Sequence, residues 1–121
     1  DVSARVERVG GDFLTQTVPG ADLYLLKHIL HDWDDDTSVT ILQNVRNGMP
    51  PGARVLIIEF LLSDQVAPGP APWMDLNMLV MLGGKERTAA GYEALLSRAG
   101  LKTQRVIATP SPFGIVEAVS A

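Results

Sequence analysis

From Val55 to Leu62 the chain is apolar at every position but one, Glu59. A second apolar run, Leu23 to Leu26 extended by Ile29 and Leu30, precedes it. Runs this continuous suit strands covered on both faces, as in a parallel sheet. Parallel strands need a long crossover, and the residues between supply a helix: Val39, Leu42, Val45 and Met49 recur at three- and four-residue spacing. Asp34, Asp35, Asp36 and Thr37 open that helix, offering side-chain oxygens to free N–H groups and negative charge to its positive end. Pro50-Pro51-Gly52 closes it.

The remaining segments extend this pattern. Val2, Ala4 and Val6 alternate with polar residues, which reads as a first strand ending near Gly10-Gly11. The stretch Gln65 to Pro72 reads as loop. Trp73 to Leu82 is apolar almost all round, the mark of a helix that is buried or that lines a pocket or subunit interface. Gly83-Gly84 stops it. Thr88 can cap a third helix with Tyr92, Leu95, Leu96 and Ala99 on one face and Gly100 at its end. Val106–Thr109 and Ile115–Val119 flank Pro110-Ser111-Pro112 as an antiparallel pair. The expected fold is an α/β sheet with a terminal antiparallel hairpin.

Composition narrows the chemistry. The 121 residues fit one domain, and 10 basic against 14 acidic residues give a net charge of −4. No basic stripe suggests nucleic acid, and no apolar run is long enough for a membrane span. The absence of cysteine excludes disulfides, zinc–thiolate sites and cysteine nucleophiles. A cytoplasmic setting is the expectation.

In sheets of this kind, ligands bind beyond the carboxyl ends of the strands. His31-Asp32-Trp33, Glu59 and Gly10-Gly11-Asp12-Phe13 fall there, and Glu86 lies in the polar turn Gly84 to Arg87. His31 is either a turn histidine or a base able to take a hydroxyl proton near neutrality. Glu59 either reaches a polar site or ends its strand in solvent. The aspartates at 32, 34, 35 and 36 read as a solvated helix start rather than a cation site, and no calcium-loop or H-E-x-x-H spacing is present. His28 and His31 fall on strand and turn, so no helical two-histidine ligand face is expected. Neither a G-x-x-x-x-G-K-[ST] nor a G-x-G-x-x-G phosphate loop occurs.

Four stretches together resemble one family: Gly10-Gly11-Asp12-Phe13, Lys27 to Trp33 (KHILHDW), the strand with Glu59, and Gly83 to Thr88 (GGKERT). In order and separation they are similar to the carboxyl-terminal half of S-adenosylmethionine-dependent small-molecule O-methyltransferases, the plant caffeate-type and bacterial antibiotic-tailoring enzymes. The resemblance implies a class I methyltransferase (Rossmann-like) sheet and transfer of a methyl group to a hydroxyl of a small, aromatic acceptor. It implies His31 as general base, flanked by Glu59 and Glu86. It implies Asp12, Phe13, Lys27 and Trp33 as contacts to S-adenosylmethionine, and Asp32, Met74, Asn77, Met78 and Met81 as acceptor contacts. No metal is required by that chemistry.

Family members are roughly threefold longer, with an amino-terminal dimerisation domain, a glycine-rich cofactor loop and a ribose-binding acid. The resemblance therefore implies that residues 1–121 are a fragment, the carboxyl-terminal part of the catalytic domain, lacking the first two strands. The family sheet order 3-2-1-4-5-7-6 would begin here at its third strand, which would lose its partners. The expected fragment is inactive alone, and the full-length protein is expected to be a homodimer. The competing expectations are a non-catalytic binding or assembly module, or a relative repurposed for decarboxylation or hydroxylation.

Overall fold

The computed structural model describes residues 2–65 and 68–121. Strand β1 (Leu23–Lys27) runs parallel to β2 (Arg54–Leu62), with Leu23 opposite Arg54 and Lys27 opposite Ile58. Helix α1 (Asp35–Gly48) crosses between them; Asp34 caps it by accepting from Thr37 N at 2.8 Å. Helix α2 (Pro70–Met81) and the two-residue strand β3 (Arg87–Thr88) follow, then α3 (Ala89–Arg98), β4 (Leu101–Ala108) and β5 (Phe113–Ser120). The sheet order is β1-β2-β5-β4, with β3 beside the end of β2. β5 is antiparallel to both neighbours. This is the 4-5-7-6 part of the order expected from the family.

The core lies on the sheet face covered by α1 and α3. Ile41, Leu42 and Val45 from α1 and Tyr92, Leu95 and Leu96 from α3 pack on Val55, Ile57, Val116 and Ala118. Alternate strand residues share a face. Glu59 therefore continues the buried row of Val55 and Ile57 and is itself fully buried.

Six expectations need correction. Val2–Val9 forms no strand: Ser3–Arg5 is a short 3-10 turn, the rest is irregular, and Val2, Val6 and Val9 are exposed. Alternation describes a half-buried strand, but a strand also needs a hydrogen-bonded neighbour, and none of the described residues supplies one. The second apolar run stops as a strand at Lys27, because His28 takes a left-handed φ of 55°. Nor is β1 covered on both faces, since Leu23 and Leu25 are exposed. Helix α2 starts at Pro70, inside the expected loop, with proline's fixed φ suited to the first helical turn. It is not a buried helix: Trp73, Leu76, Leu79, Val80 and Met81 are exposed, and only Met78 is buried. The terminal strands are longer than their apolar runs, because a register irregularity between Thr103 and Arg105 breaks the alternation of β4.

Candidate active site

Parallel pairing brings the carboxyl ends of β1 and β2 to one edge of the sheet. The His28 N–H donates to Ile58 O at 3.2 Å, and the left-handed turn at His28 then aims the next two amides at Glu59. Ile29 N and Leu30 N both donate to Glu59 Oε1 at 3.1 Å. A single 3-10 turn, Leu30–Asp32, places His31 in the interior beside that carboxylate.

The second approach to His31 comes from the turn after α2. A Cβ at Gly84 would lie 2.0 Å from His31 O and 2.9 Å from the Asp32 carbonyl carbon, so only glycine lets the two backbones lie flat together. Lys85 N seals the contact by donating to His31 O at 2.9 Å. Glu86 is thereby carried inward, and its Oε1 lies 2.7 Å from His31 Nδ1. Glu59 Oε2 is 3.5 Å from the same nitrogen, and Asp32 Oδ1 is 3.3 Å from Nε2. Asp75 of α2 steadies Glu86 by accepting from its backbone N at 2.8 Å.

Arg87 binds the two approaches together. Its buried guanidinium donates to Leu30 O at 2.9 Å and Trp33 O at 2.8 Å, the carbonyls on either side of the His31 turn. It also grips Asp35 Oδ1 through Nε at 3.0 Å and Nη2 at 2.8 Å. Lys85 Nζ takes the other Asp35 oxygen at 2.9 Å, and the two cations hold that carboxyl below the usual range. Arg87's role is not readable from the sequence, because a buried arginine and an exposed one look alike in a string of residues. In the sequence Asp35 reads as helix-start chemistry and Asp75 as a member of an apolar segment, while His28 stands out only by its spacing from His31.

Burial pushes Glu59 up to about 7, against the opposing charge of His31. Burial also raises Glu86, with its hydrogen bond to His31 opposing. Burial lowers His28, helped by the charges of His31 and Lys27. Two carboxylates that resist ionisation thus face one imidazole, and a proton arriving on that imidazole favours their charged forms.

The other expected site residues are spread around this centre. Asp12 is exposed, and its carboxylate accepts from Leu14 N at 2.9 Å and Thr15 Oγ1 at 3.1 Å, closing its own turn. Phe13 meets the half-buried Trp33 edge-on, with ring centroids 6.3 Å apart. Asp12 and Phe13 line a cavity of about 340 Å³ bounded by residues from Val9 to Pro19. Lys27 Nζ lies 5.5 Å from the centre of the Phe113 ring. On α2, Met78 is buried, Met74 half-buried, and Asn77 and Met81 exposed. Asp32, expected to meet the acceptor, lies beside the imidazole itself.

Residues 1–102 match the family model of the O-methyltransferase domain. The chain belongs to this family. It is 43% identical over 117 residues to the phenazine O-methyltransferase PhzM of Lysobacter antibioticus, covering 97% of this chain and 34% of that protein. The solved structure of CalO1, a methyltransferase in calicheamicin biosynthesis in its SAH-bound form, superposes with a TM-score of 0.93 at 43% identity, over 99% of this chain and 36% of that one. NcsB1, an O-methyltransferase from neocarzinostatin biosynthesis in complex with S-adenosylmethionine and 2-hydroxy-5-methyl naphthoic acid, gives 0.86 at 36% identity, over 99% and 35%. The chain thus spans about a third of the length of these relatives.

Proposed function

We propose that this chain is the base-bearing, carboxyl-terminal part of the catalytic domain of an S-adenosylmethionine-dependent O-methyltransferase acting on a hydroxyl of a small aromatic acceptor. The observation that carries the reading is the convergence of Glu59 and Glu86 on Nδ1 of His31. The structure of CalO1 holds SAH, and that of NcsB1 holds S-adenosylmethionine and 2-hydroxy-5-methyl naphthoic acid.

The residues present suit the adenine end of that cofactor: a cavity beside an exposed aromatic ring, Phe13, with one carboxylate at its wall, Asp12. Trp33 meets Phe13 edge-on and joins this set, whereas Lys27 reaches the Phe113 ring and joins it only by the family resemblance. When bound, the cofactor supplies an activated methyl group on sulfonium. The work left to the protein is orientation and removal of the acceptor's proton.

His31 removes that proton. Its Nδ1–H donates to Glu86, which fixes the tautomer with the Nε2 lone pair free for the acceptor hydroxyl. Once Nε2 is protonated, Asp32 is placed to receive its hydrogen bond. Glu59 adds charge from inside and spares the imidazolium the full cost of burial. Met74, Asn77, Met78 and Met81 of α2 would wall the acceptor site, and the full-length enzyme would act as a homodimer.

The test is His31→Gln in the full-length enzyme. Turnover should fall by about 10²–10⁴-fold, with S-adenosylhomocysteine affinity unchanged. Near-wild-type turnover would remove His31 from the role.

A further inference from the structure

We propose that His28, His31 and Glu59 form a binding site for a divalent transition-metal ion of the zinc type, whose occupation takes His31 out of service as a base. The second half rests on the role of His31 proposed above; the first does not. One ring nitrogen of each histidine and one carboxylate oxygen of Glu59 lie within 4.8 Å of one another. Two imidazoles and a carboxylate are the donor set of open zinc sites, which keep a fourth position for water or another ligand. The two nitrogen donors select against calcium and magnesium, which want oxygen.

The backbone builds this cluster. The left-handed turn at His28 swings its ring to 5.0 Å from that of His31, centroid to centroid. Phe60 and Phe113 hold it there edge-on, at 5.6 and 4.8 Å. His28 Nε2 and Glu59 Oε2 are both buried without a hydrogen-bond partner. Methyl transfer assigns no task to His28. Metal bonds of about 2.1 Å set tetrahedral donors roughly 3.4 Å apart, so side-chain rotation has to close the 4.8 Å triangle by up to about 1.4 Å. Glu59 Oε2 faces His31 Nδ1 at 3.5 Å, so an ion bound there takes the place of the Nδ1–H now held by Glu86. Metal-bound imidazoles carry a partner on their second nitrogen, and Asp32 Oδ1 already stands 3.3 Å from His31 Nε2. A bound cation also relieves the crowding of Glu59 and Glu86 around one ring. An imidazole that binds the ion through Nδ1 keeps its ring proton on Nε2, which removes the lone pair the base needs, so binding and base catalysis exclude each other.

The experiment titrates ZnCl₂ into the full-length protein by calorimetry, with MgCl₂ as control, and repeats it with His28→Asn. Asparagine tolerates the left-handed backbone, so the variant keeps the turn. One zinc ion per chain should bind the wild type, magnesium should not, and the variant should bind zinc at least about 10–100-fold more weakly. CoCl₂ should give the intense visible bands of a low-coordinate site in the wild type and lose them in the variant. Zinc should inhibit methyl transfer by the wild type, and His28→Asn should keep its metal-free rate and resist zinc. Equal zinc affinity in the two proteins would overturn the site, and zinc binding without inhibition would overturn its consequence. An enzyme without methyl transfer in metal-free buffer would count against the proposed function alone, because titration and cobalt spectrum do not depend on it.

Discussion

Glu59 occupies a position where a buried strand row ordinarily carries valine or isoleucine, and its two backbone hydrogen bonds do not offset burial fully. Its folded-state value of about 7 lies above the ordinary 4.5. Protonation of Glu59 therefore favours the folded state. That contribution is fully present below about pH 4.5 and is lost as pH rises through about 7. At 1.36 kcal/mol per unit, the loss is at most about 3 kcal/mol. Glu59→Gln keeps an oxygen for the Ile29 and Leu30 amides and removes the charge. It should raise the thermal midpoint at about pH 8, change it little at about pH 4, and lower turnover. Equal shifts at both pH values would show that charge burial is not the cause. The sequence flagged Glu59 because one carboxylate interrupts an apolar run. Its partners were invisible there, since the amides that bind it owe their direction to the left-handed His28.

The His31 turn is held by elements that are weak alone. β3 is two residues long, and the link from α2 to β3 has only short turns of its own. Arg87 joins them to α1 through two carbonyls and Asp35. Arg87→Met should strip hydrogen bonds from the buried Leu30 carbonyl and from that of Trp33, lowering stability in urea by about 3 kcal/mol. A loss below about 0.5 kcal/mol, the range of ordinary surface substitutions, would mean that the turn holds itself. At this scale legibility followed local chemistry. The caps at Asp34 and Thr88 and the left-handed Gly100 were readable because each acts on its own helix end. The alternation of Val2–Val9 makes no strand because pairing is not local, and the apolar run in β4 is shorter than the strand because the irregularity between Thr103 and Arg105 hides the period. β3 was missed because two residues show no period.

For the whole molecule, the catalytic edge and the cofactor edge are unequally furnished. His31 has its three carboxylates within 3.5 Å, whereas the residues around Asp12 form an exposed loop beside an open cavity. No glycine-rich phosphate-type loop occurs anywhere in the 121 residues, so no such backbone cradle reaches for the ribose or the amino-acid end of the cofactor. What remains is one hydrogen bond to a carboxylate, at about 1.5–3 kcal/mol, and stacking on Phe13, at about 0.5–1.5 kcal/mol. Their sum approaches the ~4 kcal/mol that corresponds to millimolar binding and falls well short of the ~8 kcal/mol of micromolar binding. The 121-residue chain should therefore bind S-adenosylhomocysteine no tighter than about 1 mM, with amide shifts confined to the Gly10–Phe13 loop and Trp33. A nuclear magnetic resonance titration reads both quantities at once. Micromolar affinity would mean that groups beyond Asp12 and Phe13 carry the cofactor. Shifts centred on α2 instead would move the adenine site away from the Asp12 cavity and leave the His31 cluster as the sole structural support within this chain for the functional reading.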